Sequence, residues 1–165
     1  MTPRSSPTGS PPRAARSRAV HRTRGPVRLA GRMAAPRTVV RLLVASGFAA
    51  MGVTHFVPSV VKGMSAMIPP GIRRRSPVSA STLVRGTGVC ELAGAAGLLL
   101  RPTRPVAAAA LVVFLAAVFP ANAYAARDPE RFGRVAVPLV PRAAAQVVLA
   151  ALVAVAGTSA RPISR

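Results

Sequence analysis

Apolar and polar positions fall in long blocks along this chain. Four apolar runs follow one another, from about Thr38 to Val57, from Thr82 to Leu100, from Pro105 to Ala126 and from about Pro138 to Gly157. Each approaches the roughly 20 residues that a helix rising about 1.5 Å per residue needs to cross a hydrocarbon core of about 30 Å. "AGAAGLLL" in the second run and "VAAAALVVFLAAVF" in the third carry no polar face. A soluble four-helix bundle needs such a face on every helix, so the pattern favours a membrane. A cleavable signal peptide is a poor account of the first run, since its apolar stretch would be shorter and would begin well before residue 38.

The connections "RPTR" and "RDPERFGR" are short, which predicts antiparallel packing of consecutive spans. The first connection is longer. Within it Val60, Val61, Met64, Met67 and Ile68 recur at helical spacing between Pro58 and the pair Pro69-Pro70. This predicts a short amphipathic helix lying in the membrane interface, with Lys62 on its wetter side. The expected fold is all-α: a four-transmembrane-helix antiparallel bundle with a short interfacial helix between spans one and two.

Flanking segments differ in kind. Residues 1–36 combine Arg, Pro, Ser and Gly with few large apolar side chains, so they are expected to be a disordered tail. Met33 stands just before the first run and offers an alternative start, with residues 1–32 an upstream extension. Residues 37–158 form the membrane domain, and 159–165 a short basic tail.

Composition agrees with the pattern and limits the chemistry. Hydrophobic residues make up 51% of the 165, which shifts the class from soluble to membrane. The net charge of +20 would suit an acidic partner. Eight arginines lie in residues 1–36 and most others flank apolar runs, where lipid headgroups are the expected contact and nucleic acid is not. The arginines of the tail favour a cytoplasmic N-terminus under the positive-inside rule. Lys62, Arg73, Arg74, Arg75, Arg127, Arg131 and Arg134 at the other end pull against it. Cys90 is the sole cysteine, which excludes an intrachain disulfide or a CxxC pair. With one histidine in the spans and no second ligand cluster, no haem or metal site is expected.

The candidate site consists of polar residues inside the apolar runs. From helical rise, His55 lies roughly 3 Å from the end of span one, Arg85 about 5 Å deep in span two, and Asn122 and Arg142 about 6 Å deep in spans three and four. Glu91 and Gln146 lie near 12 to 14 Å. All six belong to one leaflet, which suggests a pocket opening on the side of the first connection and closed at the other end. Arg142 and Gln146 share a helix face, as do Thr87 and Glu91, with Gly88 and Gly94 beside them. Small residues there let neighbouring backbones approach, and Gly86, Cys90 and Gly94 make a second small stripe.

Two roles stand open for each of these residues. An unpaired charge at the depth of Glu91 is costly, so its carboxyl is either protonated and bonded across helices or paired with Arg142 or Arg85. It then serves either as packing glue or as a proton-handling or ligand-contacting group. His55 is either an interfacial anchor or a ligand contact, and Arg85 and Arg142 either snorkel or join the site. Pro120 frees the carbonyl of Ala116, and Asn122 stands close enough in sequence to satisfy it without any ligand.

Taken in order, "GVTHFVP" at the end of span one, "IPP" in the connection, "GVCELAGAAGLLL" in span two, "RPTR" at the turn and "VFPANAY" in span three resemble the DoxX family of small four-helix membrane proteins. The resemblance covers about residues 38–157. It implies a multi-pass bundle of the bacterial cytoplasmic membrane, associated with quinone-linked or thiol-redox complexes and without an established activity in most members. It marks His55, Pro58, Pro69, Pro70, Glu91, Pro120 and Asn122. The chain departs from the family at Gly71, where an aromatic residue is usual, and at Val84 and Arg85, where Tyr and Ser are usual. A bound quinone, partner subunits of a redox complex and self-association are what the resemblance adds. The residues themselves show no catalytic motif, and a packing scaffold or a protein that binds or carries lipid-soluble molecules are the alternative readings.

Overall fold

In the computed structural model, residues 25–158 are described, and every element among them is helical. The elements are α1 (Gly25–Thr54), α2 (Pro58–Met67), α3 (Pro70–Arg75), α4 (Ala80–Leu99), α5 (Arg104–Ala125), α6 (Pro129–Phe132) with a short 3-10 turn after it (Gly133–Val135), and α7 (Leu139–Gly157). Prolines set several starts. Pro58, Pro70 and Pro129 occupy first-turn positions, where the missing N–H has no intrahelical partner to lose. Ser79 caps α4 by accepting from the Thr82 amide at 3.1 Å. Gly133, at φ 54°, ends α6 in a conformation that a side chain would resist.

The four apolar runs correspond to α1, α4, α5 and α7. Helix α1 begins at Gly25, inside the stretch 1–36 expected as a tail. Residues 1–24 and 159–165 lie outside the described residues. At its other end α1 stops at Thr54, short of Val57.

The four long helices pack as a ring in which α4 touches α1 and α5, and α7 touches α5 and α1. The direction of each helix follows from its contacts. Arg41, low on α1, meets Ala156 at the end of α7, while Gly52, near the top of α1, lies against Gly88. The core joins all four helices low in the ring through Val44, Ala45, Phe48, Ala95, Leu98, Leu111, Leu115 and Val153. Outside, large apolar side chains are exposed on every long helix, among them Leu43 and Val39 on α1, Val89 on α4, Val106 and Val113 on α5, and Val140 and Val147 on α7. A surface of this kind needs lipid.

Among the described residues, three helical segments are long and apolar enough to cross a membrane: Pro36–Thr54, Arg104–Ala125, and Pro129–Gly157, whose long helix is α7. The chain is a membrane protein. Helix α4 has the length but is not among these apolar segments, and Arg85, Thr87 and Glu91 interrupt it.

The closed end of the bundle is secured by two buried arginines. Arg41 donates from Nε to the Ala156 carbonyl at 2.8 Å and from Nη2 to the Thr158 carbonyl at 2.9 Å. Arg104 donates in the same way to the carbonyls of Leu98 at 3.0 Å and Leu99 at 3.1 Å. The last carbonyls of a helix have no intrahelical donors, and the negative end of the helix dipole favours a cation there. One arginine therefore ends α7 and the other α4. Arg41→Met removes two charge-assisted bonds while keeping an apolar stem, so it should cost about 2–4 kcal/mol. Arg85→Met, at an exposed position, should change stability by under about 0.5 kcal/mol. Thermal unfolding of both variants in mild detergent checks the contrast.

Candidate functional site

Helices α1 and α4 come together through glycine. A Cβ on Gly88 would lie 2.6 Å from the His55 Cβ and 2.9 Å from the Gly52 carbonyl oxygen; one on Gly52 would lie 3.0 Å from the Gly88 carbonyl oxygen. Neither position admits a side chain without a shift. The backbones are therefore close enough for His55, the residue after α1, to reach Glu91 one turn beyond Gly88.

His55 and Glu91 are both buried, with Nδ1 3.1 Å from Oε2. The same Nδ1 lies 2.8 Å from the Met51 carbonyl oxygen. A carbonyl oxygen only accepts, so Nδ1 carries a proton and directs it to Met51. Glu91 Oε2 is left against the edge of the ring without a hydrogen bond of its own. The 3.1 Å contact and the unsatisfied oxygen are thus consistent: Nδ1 gives its hydrogen to Met51 and the carboxyl oxygen is left without a donor.

Around this pair lies a cavity of about 580 Å³. Its polar lining is His55, Thr87, Glu91, Asn122 and Arg142; its apolar walls come from α1, α2, α4, α5 and α7. The size falls within the range of about 300–1,000 Å³ typical of small-molecule sites. Arg142 donates from Nη2 to the Val135 carbonyl at 2.7 Å, but its buried Nε has no partner. Thr87 turns its hydroxyl hydrogen to the Val84 carbonyl at 2.7 Å. Asn122 makes no side-chain hydrogen bond among the described residues. Among the residues that line the cavity, the Asn122 amide has no protein partner, and neither do Glu91 Oε2 and Arg142 Nε, which are buried beside its open space.

Four of the six candidate residues, His55, Glu91, Asn122 and Arg142, meet in this cavity. Gln146 does not line it; its amide donates to the Leu115 carbonyl at 2.7 Å and ties α7 to α5. Arg85 is exposed on the far side of α4. Glu91 pairs with neither Arg142 nor Arg85, as its neighbour across the glycine crossing is His55. Asn122 does not reach back to the carbonyl freed by Pro120 and instead faces the cavity. Of the small stripe, Gly94 packs on Leu111, whereas Gly86 meets no neighbour and Cys90 is exposed. Among the described residues no three His, Cys, Asp or Glu side chains are grouped to hold a metal.

His55 directly follows the end of α1, and its contact with Glu91 sets that end beside a point about 16 Å along α4 from Ala80, at 1.5 Å per residue. The helices do not end at one level: α4 continues well past the end of α1, and α2 packs on that overhang and on α5. The helix expected to lie in the interface has its Val61 and Met67 buried, and Met64, Met67 and Ile68 cover one end of the cavity. Lys62 stays exposed, as its pattern required.

The family model described as Domain of unknown function (DUF8561) matches residues 44–157, and the chain belongs to that family. No curated protein and no solved structure matches the chain. The matched stretch holds every cavity residue except Leu43.

Gly88→Ala should lower stability by about 1–3 kcal/mol, since the new methyl overpacks the crossing against His55 and the Gly52 backbone. Gly86→Ala, two residues away in open space, should be neutral or stabilise by up to about 1 kcal/mol through helix propensity. Paired melting curves in detergent measure the difference.

Proposed function

We propose that this member of the DUF8561 family is a DoxX-like protein of four membrane spans whose cavity binds a lipid-soluble molecule of the quinone class, as a subunit serving a quinone-linked complex of the bacterial cytoplasmic membrane. The observation that carries the reading is the cavity with two buried, unpartnered polar atoms, Glu91 Oε2 and Arg142 Nε. Buried polar groups are nearly always bonded, so a pair of exceptions in one cavity points to a partner that binds there. A quinone or quinol head supplies oxygens that accept from the Arg142 N–H and from Asn122, and in reduced form hydroxyls that donate to Glu91.

Span two is α4 in this reading. Its 20 residues reach about 30 Å, and its neighbours α1 and α5 are apolar enough to cross. Glu91 is turned inward, and Arg85 sits within two turns of the helix start, where a long side chain snorkels. The arginines of residues 1–36 assign the N-terminus to the cytoplasm. A thiol role has less support, because Cys90 is exposed and outside the cavity.

A scaffold role is the second reading, favoured by one observation: the glycine crossing and the His55–Glu91 contact both join α1 to α4. One experiment separates the two. Small molecules extracted from the protein in native-lipid discs are identified by mass spectrometry for wild type and Glu91→Gln. Binding predicts quinone-class enrichment over empty discs that falls about 10- to 100-fold in the variant, the loss of one hydrogen bond to a charged group, while the fold is kept. A scaffold predicts no enrichment in either protein, and a lowered melting temperature for Glu91→Ala.

A further inference from the structure

The lining of the cavity is sorted along its length. On α1 it runs from Leu43 to His55, about 18 Å of helix, and on α7 from Arg142 to Leu152, about 15 Å. The polar groups belong to the end marked by His55 and Arg142. Toward Leu43 and Leu152 the walls are wholly apolar, with Val44, Phe48 and Leu149 between. The site is thus amphipathic lengthwise, with a compact polar end and a long dry channel.

The channel is also open on one side. Leu43 is 69% exposed, Met51 49% and Leu152 40%, although all three line the cavity. Gly47 is exposed, and a Cβ built on it meets nothing within 4 Å. Lower down, α1 and α7 are closed together by Arg41, Val44, Ala45 and Val153. The slot is therefore a gap between the upper part of α1 and α7, at a height where the outer surface of both helices is apolar and faces lipid.

From this sorting and this opening we infer that the ligand is a single-chain amphiphile that enters sideways from the bilayer between α1 and α7. Its head lodges at Glu91, Asn122 and Arg142, and its tail lies in the channel along Gly47, Leu149 and Leu152. The inference rests on the binding reading above and adds the route and the seating. Entry from the lipid needs no aqueous mouth, and it leaves α2 in place over the polar end. A tail that moves from bilayer to channel exchanges one apolar surrounding for another, so selectivity falls to the head and its oxygens.

Gly47 supplies the test, because it lines the slot and a side chain begun there meets no neighbour within 4 Å of its Cβ. The probe is a benzoquinone with a ten-carbon tail ending in a photoreactive diazirine, added to the full chain in lipid discs and mapped by peptide mass spectrometry. The expected result is labelling on α1 and α7 around residues 43–47 and 149–152, reduced at least 10-fold by Gly47→Phe and unchanged by Gly86→Phe, a control in equally open space outside the cavity. Melting temperatures of both variants should equal wild type. Labelling of the slot residues that persists in Gly47→Phe, or labelling confined to outer positions such as Val106 and Val113, overturns the lateral seating. If Glu91→Gln still loses a native molecule in that case, the cavity remains a binding site entered elsewhere; if no molecule is found in wild type at all, the binding reading itself fails.

Discussion

The approach of α1 to α4 at Gly52 and Gly88 governs what the upper half of this molecule can do. It sets the height at which α1 ends against α4, and so sets His55 beside Glu91. The end of α1 is satisfied locally. The Met51 carbonyl accepts from Thr54 Oγ1 at 2.6 Å and from His55 Nδ1 at 2.8 Å, so the two residues that close the helix also cap it. With its Nδ1 proton so engaged, the histidine cannot satisfy Glu91. The unsatisfied oxygen beside the cavity is a consequence of how α1 stops.

The two ends of the bundle treat the same problem in opposite ways. In an apolar surrounding every backbone and side-chain polar group must find its partner inside the protein. At the lower end Arg41 and Arg104 meet this demand for α7 and α4, and the core between them is dry and tightly filled. At the upper end Glu91 and Arg142 each keep an unpaired buried atom, at a cost of about 1–3 kcal/mol apiece. A saturated lower half can sustain such a cost in the upper half. The molecule thus divides into a part that fixes the helices and a part that is left incomplete.

Much of this was legible in the sequence, and the failures share one cause. The four apolar runs became α1, α4, α5 and α7, and the Met-rich pattern after Pro58 became α2, because period and proline placement are local signals. His55, Glu91, Asn122 and Arg142 were readable as one group because each interrupts an apolar run on the same side of the membrane. Their partners were not readable. Depth counted from helix ends assumes level ends, whereas α4 overhangs α1 by about three turns, and a glycine crossing decides which side chains meet. For the same reason the arginines beside the apolar runs read as a class of headgroup contacts, although Arg104 and Arg41 are buried caps. Gln146 read as a cavity residue from its depth, but its face is turned to Leu115.

The weak apolarity of α4 follows from the same arrangement. A helix that carries a carboxyl, a hydroxyl and close-packing glycines for a site inside a bundle must give up hydropathy, since those residues replace leucines and valines. It can do so only where neighbours shield it. Helix α4 has α1 on one side, α5 on the other and α2 over its overhang, and Glu91, Gly88 and Gly94 all lie on its buried face. Its exposed face, by contrast, presents Val89 and Leu99 to the surroundings. The long helix with no segment apolar enough to cross is therefore packed on three neighbours, and Thr87, Glu91 and the glycines of its inner face are the mark that the cavity leaves on the sequence.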